Sequence, residues 1–327
     1  MILKIRTVAD MSRARCSTPV FNAWKTGGHY GTLTVMDRDV LRASMHALVV
    51  RTGTELPADV VQALQAAWQN EAPDSVAREM LGIMRESAGL SQAQALPICQ
   101  DTGSLFAVVT AASAEAMKEI EDALRAAVKG LSEEGILRQN CVDALSDQNT
   151  GTNIGPFVPQ IHFHPAAGPA TVRLMLKGGG SENMSAQYSL PVKELNAGRD
   201  LDGVRRCVLD AVFRAQGKGC APGILGVCIG GDRASGHVLA KEQLFRKLPD
   251  INPEPALAAL EDRLRDQANR LGIGPMGLGG TTAVLGVKAV AAGRHPASYF
   301  VTVSYSCWAT RRSVVELDAT GRIAAWL

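Results

Sequence analysis

Three cysteines, Cys99, Cys220 and Cys307, stand where a chain could build chemistry that ordinary side chains lack. Each lies in a polar stretch beside an apolar, strand-like run. Cys99 sits in Pro97-Ile98-Cys99-Gln100-Asp101-Thr102-Gly103, directly before Leu105-Phe106-Ala107-Val108-Val109. Cys220 follows Gly217-Lys218-Gly219 and opens onto Gly223-Ile224-Leu225-Gly226-Val227-Cys228-Ile229. Cys307 lies in Ser306-Cys307-Trp308-Ala309, just before Arg311-Arg312. Thiolates so far apart in sequence are unlike the compact cysteine runs of electron-transfer ferredoxins. They suit a cubane iron–sulfur cluster with one iron free of protein ligands, and such an iron can act as a Lewis acid on a hydroxyl and a carboxylate. Spacing alone leaves open that these are three unrelated loop cysteines.

The other thiols have plainer explanations. Cys228 falls inside an apolar strand-like run and Cys207 inside a helical pattern, so both are expected to pack as small hydrophobes. Cys141 adjoins a polar loop and is ambiguous. The pair His162 and His164 fits the face of a strand better than a metal site, because no further ligand is near in sequence. Gly272-Ile273-Gly274-Pro275-Met276-Gly277 matches a dinucleotide fingerprint in form only. A helical pattern precedes it where a strand is needed, and Pro275 with Gly279-Gly280 spoils the helix that would have to come after it.

The composition is that of a globular protein: 46% hydrophobic, 20% charged, with a net charge of +2. That charge gives no reason to expect nucleic acid or an acidic membrane as partner. No apolar run approaches a membrane span, and no secretory signal is visible. An odd number of cysteines, seven, without a C-x-x-C pair argues against a disulfide framework and against zinc knuckles. A cytoplasmic protein with reduced thiols is expected.

The elements that must position the three cysteines can be read from periodicity. Residues 1–36 show no clear period and are expected to be a poorly ordered N-terminal extension. Residues 37–327 are expected to be one domain. Helical spacing runs through Val40–Val49, from Pro57 to Trp68, and from a cap at Asp74 or Ser75 to Met84. Further helices are expected at about 114–130, 201–216, 234–247 and 253–271. Strands are expected at 105–109, 161–164, 172–176, 223–231, 282–287 and 300–304, then strand, turn, strand over 314–327. The glycine run Gly178-Gly179-Gly180 can be a hairpin loop or a place where backbone N–H groups meet a ligand. The fold class expected is α+β (mixed α/β), with packed helices, short sheets and the cysteine loops converging at one end.

Several stretches together resemble the iron–sulfur class I fumarase and L-tartrate dehydratase family. They are Pro-Ile-Cys-Gln-Asp-Thr-Gly at 97–103, Leu-Arg-Gln-Asn at 137–140, Asn-Thr-Gly-Thr-Asn at 149–153 and Gly-Gly-Gly-Ser at 178–181. With them go Gly-Cys-Ala-Pro-Gly-Ile-Leu-Gly-Val at 219–227, Leu-Gly-Ile-Gly-Pro-Met-Gly-Leu-Gly-Gly at 271–280, Arg-His-Pro at 294–296 and Cys-Trp-Ala at 307–309. The resemblance covers roughly Met36 to the C-terminus, and so many motifs in order are specific.

The resemblance implies a [4Fe-4S] cluster on Cys99, Cys220 and Cys307, and reversible addition of water to fumarate, with tartrate as the alternative substrate. It implies that Gln100 and Asp101 lie at the substrate, that Arg138 grips a carboxylate, and that His295 and an amide of Gly179 or Gly180 complete this half of the pocket. Dianionic substrates need such cations and oriented N–H donors. A base must also remove a proton from carbon, and this sequence offers no convincing one. In the family the base lies in a C-terminal domain, so the resemblance implies a beta subunit carrying that domain, a hetero-oligomer, and a chain inactive by itself, or else a fragment of a fused enzyme. A non-catalytic iron–sulfur or metal-binding protein that kept the fold is the reading from another class.

Overall fold

The computed structural model describes residues 36–327. The expected N-terminal extension lies outside them, except for Met36. That residue is buried and its Cβ lies against the turn at Gly321, so it belongs to the domain.

The first half of the chain supplies helices around one sheet. α1 (Arg38–Thr54), α2 (Ala58–Asn70) and α3 (Val76–Gln94) come first, then β1 (Ser104–Ala111), α4 (Ala114–Glu133), β2 (Gln160–Pro165) and β3 (Ala170–Lys177). Asp37, Ser75 and Ser113 cap α1, α3 and α4 through side-chain oxygens that accept from orphan backbone N–H groups. The second half adds α5 (Gly179–Asn183), β4 (Ala186–Ser189), α6 (Leu201–Ala215), β5 (Gly223–Ile229), α7 (Arg233–Gln243) and α8 (Pro255–Asn269). β6 (Val284–Ala291), β7 (Phe300–Ser306), β8 (Arg311–Leu317) and β9 (Ile323–Trp326) end it. The class is α+β with mixed sheets, as the sequence leads one to expect. Among the described residues no helix is long and apolar enough to cross a membrane.

One sheet has the order β2-β1-β3-β8-β9 and the other β4-β7-β5-β6. β1 pairs in parallel with β2 and antiparallel with β3, while β5 pairs in parallel with β6 and antiparallel with β7. The alternation along β1 shows how the layers stack. Leu105, Ala107 and Val109 pack with α1 and α4, whereas Phe106 and Val108 point the other way, into a cluster with α2 and α3. That second cluster also takes in Ile224 of β5 and Leu244 after α7, so it joins the two sheets. The far face of the four-stranded sheet is covered by α6 and α8. A strand buried on both faces shows as a continuous apolar run rather than an alternating one.

Between the sheets, charge is matched locally. Arg312 of β8 donates to Asp59 of α2 at 2.5 Å, and the same Asp59 oxygen accepts from the Leu248 amide at 2.8 Å. The Arg312 side chain is 4% exposed. Asp59→Ala would strand that guanidinium away from water, a change that costs about 3–5 kcal/mol. A lowered denaturation midpoint in urea is therefore expected, and an unchanged midpoint would show that Arg312 finds another partner.

β8 begins four residues after Cys307, so the segment 307–310 is where the chain leaves one sheet and enters the other. Thr310 Oγ1 donates to the Cys307 carbonyl at 2.7 Å and holds that crossing tight. The starts of β1, β5 and β8 and the ends of β3 and β7 therefore share one end of the molecule.

Candidate active site

Cys99 reaches that end in the loop ahead of β1. The loop turns at Gly103, whose φ is +81° and whose Cα faces the backbone of β3. An added Cβ would lie 2.4 Å from the Lys177 oxygen, so only glycine fits. Thr102 is buried and its hydroxyl donates to the Arg138 carbonyl at 2.7 Å. Asn153 Nδ2 donates to the same carbonyl at 2.8 Å, and its Oδ1 accepts from the Asn140 amide at 2.7 Å. The polar stretches 137–140 and 149–153 are thus stitched to the Cys99 loop. The backbone at Arg138 is fixed while its side chain remains exposed.

Asp101 is the hub of this arrangement. Its Oδ1 accepts from the Gly103 amide at 2.7 Å and from Asn140 Nδ2 at 2.8 Å, and its Oδ2 accepts from the Gly179 amide at 2.6 Å. The glycine run is not a hairpin loop. From Gly179 it forms the first turn of the short helix α5, whose Glu182 amide and Ser181 hydroxyl both donate to the Gly178 carbonyl. Gly178 lies between Asp101 and the Cys307 thiol, since a Cβ there would meet Asp101 Oδ2 at 3.3 Å and Cys307 Sγ at 3.9 Å. The next amide, of Gly180, belongs to an exposed residue.

Cys220 sits in a left-handed conformation, φ 54° and ψ 60°, rare for a side-chain-bearing residue. Its carbonyl accepts from the Trp308 amide at 3.1 Å, which ties the second cysteine loop to the third. Tyr305 wedges its ring against Gly219 and Gly223; a Cβ at either would lie 2.5 Å from a ring carbon, so the loop can close only with glycine there. The three thiols are near enough to act on one another. Burial raises the proton affinity of Cys220, and the charges of Cys99 and Asp101 add to it. Burial also pushes Cys307 up to about 11, with Arg311 opposing and Cys220 and Cys99 reinforcing.

The surroundings are cationic. Lys177 is fully buried and pairs with Glu182, which also accepts from Lys241 Nζ at 2.6 Å, so two ammonium groups share one carboxylate. Burial lowers the Lys177 pKa, and Glu182 opposes that shift. Arg311 is 1% exposed, and its Nε and Nη2 have no hydrogen-bond partner among the described residues. Among the described residues no three His, Cys, Asp or Glu side chains converge as ligands of one metal ion. A cluster makes a different demand, because each thiolate binds a separate iron and the sulfurs need not meet at a point. Three interacting thiols beside an unpaired buried guanidinium have the donor chemistry and the charge for such a group.

Beside Asp101 opens a groove of about 490 Å³, lined by Asp101, Gly103, Asn140, Cys141, Asn153 and Gly179 among others. Cys141 is therefore at the edge of the site, with its Sγ against Gly155. Cys207 and Cys228 are fully buried in α6 and β5 and pack as expected. His162 and His164 share one strand face, His162 against the Phe106 ring and His164 3.4 Å from Glu242, as expected for strand side chains.

His295 is not brought to the cysteines. It lies in the exposed loop between β6 and β7, beside Gly231 and Asp232 after β5. Cys220 and Cys307 lie at the opposite end of the same strands, about 20 Å away along a seven-residue strand. Its Nδ1 accepts from the Ala297 amide at 3.1 Å, a local loop contact. Sequence reasoning missed Arg311 and Lys177 as neighbours of the thiols. Arg311 is only four residues after Cys307, whereas Lys177 is carried to this end by the pairing of β3 with β1 and β8.

Comparison with known proteins accords with this geometry. The family model for fumarate hydratase (Fumerase) matches residues 42–316. A protein of Geobacillus stearothermophilus named "Putative fumarate hydratase class I" is 45% identical over 293 residues, which are 88% of this chain but only 57% of that protein. The "Putative L(+)-tartrate dehydratase subunit alpha" of Methanocaldococcus jannaschii is 36% identical over 274 residues, 81% of this chain and 93% of the relative. The "L(+)-tartrate dehydratase subunit alpha" of Escherichia coli K12 is 31% identical over 274 residues, 81% of this chain and 87% of the relative. The match spans every one of the loops that meet at Asp101 and the three thiols, and the chain belongs to the fumarate hydratase family.

Proposed function

We propose that this chain is the cluster-bearing part of an iron–sulfur hydro-lyase that adds water reversibly to fumarate to give malate. Cys99, Cys220 and Cys307 would hold a [4Fe-4S] cluster. The observation that carries this reading is the meeting of three cysteine loops, from distant parts of the chain, beside a hub carboxylate and an unpaired buried cation. When bound, the cluster would supply a Lewis-acidic iron that takes up the charge of a leaving hydroxyl.

The chain's own residues have separable tasks. Asp101 holds three donors from three segments, so it fixes the Cys99 loop, Asn140 and the Gly179 amide in one register. Arg138 and Gln100 project exposed side chains from backbone that this network immobilises, and Arg138 can grip one carboxylate in a bidentate fork. The amide of Gly180, at the first turn of α5, would meet the other polar end of the diacid. Both oxygens of Asp101 are engaged in this positioning. Among the described residues no further carboxylate or imidazole stands at the groove as proton acceptor.

A second chain is proposed to bring that base and more cations, and to cover a groove that is open to water. Support comes from the two relatives named as alpha subunits, which match this chain over most of their lengths. His295 can serve a diacid only if a site of another chain lies against its loop. Tartrate dehydration is the second reading, favoured by the same two relatives, while the more identical Geobacillus protein favours fumarate.

Anaerobic reconstitution followed by a panel of fumarate, malate and L-tartrate tests this. The chain alone is expected to show negligible turnover, and addition of a cognate beta chain is expected to give hydration of fumarate. Turnover of tartrate alone by the pair would favour the second reading. Robust turnover by the isolated chain would overturn the split site and place a proton acceptor within these residues.

A further inference from the structure

Arg311 carries a charge that nothing among the described residues answers. It opens β8, opposite Leu176 of β3, and is 1% exposed. Its Nε and Nη2 are buried without a hydrogen-bond partner. Its neighbour Arg312 turns to the other face of the strand, where its Nη2 is matched by Asp59 and the Arg246 carbonyl although its Nη1 is unpartnered among the described residues. The carboxylate Glu182, in the first turn of α5, is already shared by Lys177 and Lys241. An unpaired guanidinium in the interior costs several kcal/mol, so a fold that keeps one implies an anion that meets it in the working protein. The crossing segment 307–310 joins Cys307 to this charge at the end of β3: Arg311 lies opposite Leu176, and a Cβ at Gly178, two residues on, would lie 3.9 Å from the Cys307 thiol.

We propose that Arg311 is the buried counter-charge of the cluster, donating through Nε and Nη2 to the thiolate of Cys307 or to the sulfide beside it. This rests on the reading that Cys99, Cys220 and Cys307 hold a [4Fe-4S] cluster. Three thiolates on a cubane core of charge 2+ leave a net negative group, and in a dry interior one guanidinium can neutralise it. Arg311 touches no substrate in this arrangement and is a positioning and tuning residue. Such a charge has two effects. It should tighten the hold on the cluster, as groups that hydrogen-bond to metal ligands do. It should also favour the reduced cluster, which carries one more negative charge, and so raise its reduction potential.

The test compares wild type, Arg311→Met and Arg311→Lys as full-length chains, apo and after anaerobic reconstitution. Iron and sulfide per chain, the rate of iron loss to a chelator, the reduction potential and the apo melting temperature are measured. Arg311→Met keeps the apolar stem and removes the charge. Its apo form is expected to melt at or above the wild-type temperature, because an unpaired buried charge has gone. Its reconstituted form is expected to lose iron about 10–100-fold faster and to show a lower potential. Arg311→Lys, with the charge but not the fork, is expected to fall between the two in potential.

An apo Arg311→Met chain that melts lower or does not fold overturns the proposal, since the guanidinium would then be supporting the fold itself. So does a Met variant with wild-type iron retention and potential. A wild-type chain that takes up no iron and sulfide overturns the underlying cluster reading, and this inference with it. That failure shows in the wild-type iron assay alone and is distinct from the other two.

Discussion

Cys220→Ser, reconstituted anaerobically, is expected to hold no iron or sulfide above background and to give no hydration with a beta partner. The same is expected of Cys99→Ser and Cys307→Ser. The reason is geometric. Cys220 is held in a left-handed turn whose carbonyl is bonded to the loop of Cys307, and its neighbours Gly219 and Gly223 leave no room for another arrangement. A serine hydroxyl is a far poorer ligand for iron than a thiolate, and neither Cys207 nor Cys228 can move in. Cys228 is fully buried within β5, opposite Thr302 on β7, and Cys207 is fully buried in α6. Burial holds Cys228 up at about 11 and Cys207 at about 12, as for inert core thiols. Serine at either position buries a hydroxyl, at a cost of about 1–3 kcal/mol, and the cluster is expected to remain. Iron and sulfide assays with the visible absorbance decide the matter. Loss of the cluster in Cys228→Ser with retention in Cys220→Ser would show that the wrong thiol has been assigned.

Asp101→Asn should lower turnover by about 10²-fold while leaving iron content close to wild type. The carboxylate accepts three hydrogen bonds and donates none. An amide has only one accepting oxygen, so its NH₂ group must face the Gly179 amide or the donors from Gly103 and Asn140. Donor against donor pushes the segments apart and frees the glycine run from the Cys99 loop. The stability cost is about 1–3 kcal/mol for the unsatisfied donors. The ligand thiols are unchanged, so the loss should fall on kcat rather than on cluster content. A variant with unaltered kcat would remove Asp101 from the positioning network. One that loses iron in proportion to activity would make it a support of the cluster instead.

Much of this was legible in the residues because the signals are local. The run Leu105–Val109 announced a buried strand, since both of its faces meet apolar layers and the chain must be apolar throughout. The pair Asp74-Ser75 marked a helix start, with Ser75 proving to be the cap, because a cap is decided by one side chain and the amides just after it. Cys207 could be set aside because the apolar residues that share its helical period are its neighbours in space, and Cys228 because it lies in a run that is buried throughout.

Other features were not legible, and the reasons differ. β4 is four residues long and half-buried, too short for a period to show, and it exists because β7 offers an edge. The glycine run opens a helix rather than a hairpin, and its Gly179 amide meets Asp101, a partner 78 residues away that no local pattern reveals. His295 sits in a motif that resembles the site residues of the family, yet the strand β7 carries its loop to the far end of the sheet from Cys307. Arg311 and Arg312 are identical residues side by side, and nothing in the sequence separates them. Sequence alone determined which thiols lie in loops, which helices and strands flank them, and the family to which the motifs point. Tertiary structure decided which loops share an end and which of two adjacent arginines is left without a partner, because strand pairing and the alternation of side chains across a sheet join residues that the linear order keeps apart.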